Sequence, residues 1–292
     1  LFNFEGHSIA VMVCFPNAKI NIGLYVTEKR VDGYHDLETV FFPVPVYDAL
    51  EIVPAPDGRT SIFLSGLEIT GDVTGNLVWK AWEMIARQFP DDVSPVHIYL
   101  GKAIPMGAGM GGGSADGTFM LLLLNRYFDL RLSEERLAAL ALELGSDCPF
   151  FVYNRPQLAS GRGELLEDIA LGVDWSDYRL CMVCPGVHIS TARAFAGITP
   201  RQPAFDLRNI GTLPLASWKD RISNDFEESI FLHYPELAAI KTYLYNQGAL
   251  YVSMTGTGSA FYGIFPRTCR PDAAMESWQY PVQWYDDLTI KN

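Results

Sequence analysis

Ile104-Pro105-Met106-Gly107-Ala108-Gly109-Met110-Gly111-Gly112-Gly113-Ser114-Ala115-Asp116-Gly117 sets glycine after glycine directly ahead of an apolar run, Phe119 to Leu124. Glycines let successive backbone N–H groups turn toward one point without Cβ clashes. A helix behind them adds unpaired N–H donors and the positive end of its dipole. The stretch therefore predicts a phosphate cradle. Three readings fit the glycines alone. Gly107-x-Gly109-x-x-Gly112 has the dinucleotide spacing G-x-G-x-x-G. Such a loop belongs in a first βαβ unit, with an acidic residue closing the next strand about 20 residues on. Here it lies in mid-chain, and Asp129 falls beside a helix end. Gly107 to Gly112 also has the spacing of a Walker loop, yet Gly113 stands where the phosphate-reaching lysine belongs. The third reading is a tight turn without a ligand. Against it, glycines cost about 0.5–1 kcal/mol each relative to alanine where the backbone is regular.

Around the loop, Val96 to Leu100 reads as a strand, and Ala115 to Tyr127 and Asn76 to Phe89 as helices. Ser133 fits an N-cap, Glu134 and Glu135 a first turn, and Gly145 the end of a helix through Leu144. Nearer the start, Ala18, Ile20, Ile22 and Leu24 alternate with Lys19, Asn21 and Gly23, so one strand face is apolar and the other carries Lys19 and Asn21. The turn Arg30-Val31-Asp32-Gly33-Tyr34-His35 leads to a strand at Leu37 to Phe42, and Asp48 to Val53 and Thr60 to Leu64 extend the sheet. Arg155-Pro156 and Gly161-Arg162-Gly163 then break the pattern and place a domain boundary near 155–175. Beyond it come strands from Tyr178, a connecting loop from Asp206 to Ser217, and a helix from Pro235 to Gln247. A second glycine run, Ser253-Met254-Thr255-Gly256-Thr257-Gly258-Ser259, feeds the strand Ala260 to Phe265. The fold class is α+β without repeats, divided at 12–165 and 166–292.

With 292 residues and 49% hydrophobic content the chain can bury a full core as one large domain or two modest ones. A net charge of −12 argues against nucleic acid or anionic membranes as partners, so any anion must be held by local groups. No apolar run approaches the roughly 20 residues of a membrane span. Five scattered cysteines point to reduced thiols and a cytoplasmic location. Cys181-Met182-Val183-Cys184 is formally a C-x-x-C, but it reads as a buried strand whose two sulfurs face opposite sides. Residues 1–11 read as an expression remnant, with Met12 as the native start.

Pro16-Asn17-Ala18-Lys19-Ile20-Asn21 near the start, Pro105 to Ser114 in the middle and Met254 to Ser259 near the end form an ordered trio. The trio resembles the GHMP small-molecule kinases. Arg30 to His35, Gly145-Ser146-Asp147-Cys148-Pro149-Phe150-Phe151 and Asn224-Asp225-Phe226-Glu227 narrow the likeness to the branch that acts on a CDP-linked methylerythritol. That resemblance implies transfer of the ATP γ-phosphoryl group to the methylerythritol 2-hydroxyl, in the non-mevalonate route to isoprenoid precursors. It also implies a two-domain fold: an N-terminal ATP-binding domain like the second domain of ribosomal protein S5, and a ferredoxin-like C-terminal domain. A GHMP kinase for another small alcohol and a non-catalytic nucleotide-binding protein are the alternatives.

Residue by residue, the resemblance makes Asp147 the base that accepts the hydroxyl proton and Lys19 its cationic neighbour. Capping of the segment Cys148 to Val152 is the alternative for Asp147, and solvation that for Lys19. Pro105, Met106, Gly107, Ala108, Gly109, Met110, Gly111, Gly112, Gly113 and Ser114 would wrap the ATP phosphates. Asn76 and Lys102 would lie at the adenine end, unless they are plain surface. Asn21, Thr191 and Gly256 fall on the substrate side, and Thr255, Gly256 and Gly258 pack the last loop against the site. Tyr34 and His35 offer an aromatic face and a ring nitrogen to cytosine, with Phe195 on the opposite side of the base. No residue spacing suits a dedicated metal cage, so Mg2+ is expected to arrive with the nucleotide. Asp116 is a metal-ligand candidate that serves as readily as a helix-dipole partner. Many relatives carry serine and alanine where this chain has Ala115-Asp116-Gly117. The partners implied are the two small-molecule substrates alone, acting on a monomer or homodimer.

Overall fold

The structure is a computed structural model that describes residues 11–69, 71–269 and 278–290. Of the 1–11 segment only Val11 is among the described residues. The chain opens with β1 (Met12–Cys14), a long β2 (Asn17–Lys29) paired to β3 (His35–Tyr47), then β4 (Ala49–Pro54) and β5 (Ser61–Gly66). Helix α1 (Leu77–Gln88) and β6 (Val96–Lys102) precede the glycine loop. After it come α2 (Gly112–Tyr127), α3 (Glu134–Leu144), α4 (Cys148–Tyr153) and a hairpin of β7 (Gln157–Ser160) and β8 (Leu165–Asp168). The C-terminal half holds β9 (Tyr178–Val183), α5 (Thr191–Ala196), α6 (Asp225–His233), α7 (Pro235–Asn246), β10 (Tyr251–Met254), β11 (Phe261–Pro266) and β12 (Val282–Tyr285).

Among the described residues three four-stranded sheets result, ordered β1-β4-β6-β5, β2-β3-β7-β8 and β10-β11-β9-β12. Numbered within its own half, the third runs 4-1-3-2 and is antiparallel throughout, the strand order of a ferredoxin-like domain. The first sheet packs on α1, α2 and α3 through Ile52, Ile98, Leu100, Ile85, Leu121 and Leu140. In the C-terminal half Phe226, Leu237, Ile240 and Phe261 form a second core. Between the halves lies a shared core in which Ile20, Ile22 and Phe42 meet Leu180, Tyr251 and Tyr262. The two halves are therefore bound by burial, not by a linker alone. Among the described residues no helix is long and apolar enough to cross a membrane.

Four details differ from the sequence reading or sharpen it, and a fifth agrees with it. Ala18, Ile20 and Ile22 enter the shared core as their alternation predicts, but Leu24 does not follow them. Gly23 has φ +65° inside a register irregularity of the β2–β3 pair, and a β-bulge of this kind reverses the faces beyond it. Helix α2 starts at Gly112, because Gly112 and Gly113 themselves supply its first turn. The segment read as a connecting loop, Asp206 to Ser217, holds the 3-10 turn Leu207–Thr212 and runs into the 3-10 turn Leu215–Asp220, with Leu207, Ile210 and Leu215 buried. The β7–β8 hairpin carries the second sheet on to Asp168, past the boundary at 165. Cys181 packs in the C-terminal core and Cys184 against the shared core, so the two thiols do face opposite sides; burial pushes them up to about 12 and about 11.

Candidate functional site

Strand β2 carries Lys19 and Asn21 on the face away from the shared core, and both side chains are almost fully buried. The Lys19 ammonium donates to Asn21 Oδ1 at 2.7 Å, lies 3.5 Å from Asp147 Oδ2 and sits 4.9 Å from the centre of the Phe41 ring. Burial pulls the Lys19 pKa below its ordinary value, and the Asp147 carboxylate opposes that pull. Asn21 is held in turn by its neighbours. Its backbone N–H donates to Thr255 Oγ1, its side-chain amide donates to Thr39 Oγ1, and Tyr262 donates to its carbonyl. Asp147 precedes α4, yet its carboxylate makes no bond to that helix's N–H groups. The capping alternative is thereby removed, and the carboxylate, about a third exposed, faces Lys19 and the cavity.

That cavity, of about 480 Å³, brings Lys19, Asn21 and Asp147 together with Gly107, Gly109 and Gly111. The loop alternates. Ala108 and Met110 turn their side chains into the shared core, while the odd-numbered glycines border the cavity. Gly109, at φ +79°, lies so close to the second glycine run that a Cβ there would stand 2.0 Å from the Thr255 carbonyl oxygen. The Thr255 hydroxyl donates to the Gly109 carbonyl and the Ala260 amide to the Ala108 carbonyl, which ties the two loops together, while Asn224 Nδ2 donates to the carbonyls of Met254 and Gly256 and holds the second. Gly111 is the residue before α2 and offers no side-chain cap, which leaves the first-turn N–H groups of α2 without a side-chain acceptor. The Lys19 amide donates to the Met110 carbonyl and fixes the loop to β2.

A second cavity, of about 240 Å³, is bordered by Asn76, Lys102, Met106, Gly113 and Asp116. Asn76 Oδ1 accepts the Val78 amide and caps α1. Lys102 is not plain surface: its ammonium is bonded to both Asp48 and Asp116 and is buried with them. Asp48 also takes the amides of Ala103 and Ile104, where the glycine loop begins. Burial raises the Asp116 pKa to about 8, with Lys102 opposing and Asp48 reinforcing the rise, and its Oδ1 has no hydrogen-bond partner.

The ring residues are placed differently from the sequence expectation. His35 stacks directly on Phe195, with centroids 4.8 Å apart, so the two rings touch each other and do not flank a slot. Phe195 is steadied edge-on by Phe226, and Thr191 borders the larger cavity beside it. Tyr34 is exposed and carries the Arg162 guanidinium 5.2 Å from its ring centre. The sequence reading does not single out three residues: Asp48, which holds Lys102; Arg162, which borders the larger cavity; and His188, whose ring packs against Gly107. Only Arg162 carried a signal in the sequence, its setting between two turn glycines.

The geometry has counterparts. A family model described as the GHMP kinases N terminal domain matches residues 76–155, and one described as GHMP kinases C terminal matches 203–282. A relative in Bacteroides fragilis, named 4-diphosphocytidyl-2-C-methyl-D-erythritol kinase, is 48% identical over 87% of this chain and 92% of its own. A Porphyromonas gingivalis relative of the same name is 44% identical over 90% and 95%. A crystal structure titled 4-(cytidine 5'-diphospho)-2C-methyl-D-erythritol kinase superposes with a TM-score of 0.73 at 30% identity, covering 86% of this chain and 89% of that one. A Methanococcus jannaschii mevalonate kinase shares the fold at 11% identity and a TM-score of 0.70. This chain belongs to the 4-diphosphocytidyl-2-C-methyl-D-erythritol kinase family of the GHMP kinases.

Proposed function

We propose that this chain transfers the γ-phosphoryl group of ATP to the 2-hydroxyl of 4-diphosphocytidyl-2-C-methyl-D-erythritol, giving the 2-phosphate and ADP. The reaction is a step of the non-mevalonate route to isoprenoid precursors. The observation that carries the reading is the Lys19–Asp147 pair at 3.5 Å in the same cavity as the glycine loop. A carboxylate that caps nothing and a buried cation are thus held beside a phosphate cradle. The acceptor hydroxyl would approach Asp147, its oxygen forming a bond to the γ-phosphorus as the bond to the bridging oxygen of ADP breaks. Its proton passes to the Asp147 carboxylate, and the Lys19 ammonium offsets the charge on the reacting oxygens. The N–H groups of the loop and of the first turn of α2 hold the remaining phosphates.

Asn76, Lys102 and Met106 would border the nucleoside end of ATP, while Tyr34, His35, Thr191 and Phe195 would meet the cytidine. His35 must part from Phe195 for a base to lie between them. Among the described residues no three His, Cys, Asp or Glu side chains gather as a metal cage. Mg2+ would be carried by the nucleotide phosphates, with the Ser114 hydroxyl in α2 as a protein oxygen that would meet it, and the ion would supply charge neutralisation on the phosphates. Five cysteines scattered along the chain fit action in a reducing cytoplasm.

The test is a phosphoryl-transfer assay with the CDP-linked alcohol beside mevalonate, homoserine and galactose. Turnover should be confined to the first. Efficient use of another alcohol moves the chain to a different branch of the superfamily. Asp147→Asn should lower kcat by about 10²–10⁴-fold, with ATP binding retained; wild-type turnover in that variant refutes the base assignment.

A further inference from the structure

Resting on the CDP-linked substrate just proposed, the geometry points to Arg162 as the side chain that holds the substrate's diphosphate, between the base and the reacting hydroxyl. The two ends of that substrate are anchored by different parts of the chain. Tyr34 offers the exposed aromatic face, and Asp147 the acceptor for the hydroxyl proton. The turn Gly161-Arg162-Gly163 spans them. The Arg162 guanidinium lies 5.2 Å from the Tyr34 ring centre, and at the next residue a Cβ on Gly163 would stand 3.3 Å from Asp147 Oδ1. Arg162 thus borders the cavity that holds Lys19 and Asp147 while its guanidinium reaches the Tyr34 ring.

The two buried lysines beside the glycine loop are placed for other groups. Lys19 stands beside Asp147, where the hydroxyl reacts, and Lys102 serves the other cavity between two carboxylates. Arg162 is oriented through Nε by Glu164 at 3.6 Å, and its own amide donates to the same carboxylate. Its side chain is 37% exposed, so a phosphate can reach it from solvent. A planar guanidinium binds a diphosphate through two parallel N–H donors, a geometry that lysine lacks. The assignment makes Arg162 a specificity-determining residue that separates a CDP-linked alcohol from a bare nucleoside or a free polyol.

The experiment is a calorimetric titration of wild type, Arg162→Ala and Arg162→Lys with CDP and with cytidine, alongside steady-state kinetics. Arg162→Ala should weaken CDP about tenfold or more, equivalent to about 1.4 kcal/mol, and leave cytidine within about twofold. Arg162→Lys should recover part of the loss. The KM of the CDP-linked alcohol should rise with the CDP affinity loss, while the KM of ATP stays put. Equal weakening of CDP and cytidine would make Arg162 a prop for Tyr34, and no change in either would make it an ordinary surface arginine; both overturn the assignment. Wild type that neither binds CDP nor turns over the CDP-linked alcohol refutes the functional reading and this assignment with it. Wild-type turnover with an unaltered Arg162→Ala variant locates the failure in Arg162 alone.

Discussion

Lys19 and Lys102 are both buried lysines beside the glycine loop, and the chain gives them opposite surroundings. Lys102 is closed in by two buried carboxylates. Burial pushes the Asp116 carboxyl up to about 8, so it holds its proton more firmly than an ordinary carboxyl. Through Asp48 the cluster pins the residues that enter the loop. Lys19 has a neutral amide oxygen at 2.7 Å and a single carboxylate at 3.5 Å that is partly in water. The first arrangement is saturated and architectural. The second leaves a cation and a carboxylate unsatisfied enough to meet a substrate.

The sharpest way to break that contrast is to replace each lysine by methionine. Lys102→Met strands the buried Asp48 carboxylate without its cation, and removing one partner of a buried pair costs about 3–5 kcal/mol. Lys19→Met leaves Asp147, which can rehydrate, and takes a donor from the buried Asn21 Oδ1, so its stability should fall by only about 1–2 kcal/mol. Its turnover should nevertheless fall by about 10²–10³-fold, as when an electrostatic donor is removed from a reaction centre. Urea denaturation and a kinase assay on both variants check the pair. Equal destabilisation would erase the distinction between a reactive and an architectural lysine.

A second measurement sharpens the Lys102 side alone. Asp116 has a folded-state pKa of about 8 against an ordinary value of 3.8, so between those pH values the folded chain holds a proton that the unfolded chain has released. A raised pKa contributes stability that is complete below about pH 4 and is lost as pH rises through about 8. Asp116→Asn removes this term. The stability of the variant relative to wild type should therefore climb between pH 4.5 and 8.5, by an amount on the order of a few kcal/mol. Parallel stability curves would mean that Asp116 is ionised in the folded chain.

What could be read in the sequence follows the same division. The glycine loop was legible because its signal is local: glycines at alternate positions, then a helix, with Lys19 and Asn21 on one strand face by period alone. Asp48 was not legible, since only the β4–β6 pairing, with Ala49 opposite Gly101, brings it beside Lys102. Leu24 was placed on the wrong face because the bulge at Gly23 interrupts the period of two. The contact of His35 with Phe195 joins residues from opposite halves of the chain, and no spacing encodes the distance between two such rings.

The smallest effect expected comes from making one lysine site resemble the other. Asn21→Asp would give Lys19 a second carboxylate, the condition of Lys102, at a position where Asn21 Oδ1 already sits 2.7 Å from the ammonium. An added anion works in the same direction as Asp147, against burial, and so raises the Lys19 pKa toward its ordinary value. Two consequences should follow together. The ammonium is held more tightly by the protein and less by the substrate, so kcat falls about tenfold, equivalent to about 1.4 kcal/mol of barrier. The alkaline limb of the kcat profile, where Lys19 loses its proton, moves to higher pH. A slower enzyme with an unmoved limb would mean that Asn21 acts only by packing, whereas a shifted limb with unaltered kcat would mean that the hold on Lys19 does not limit turnover. Only both changes together show that Lys19 is reactive because its second partner is an amide.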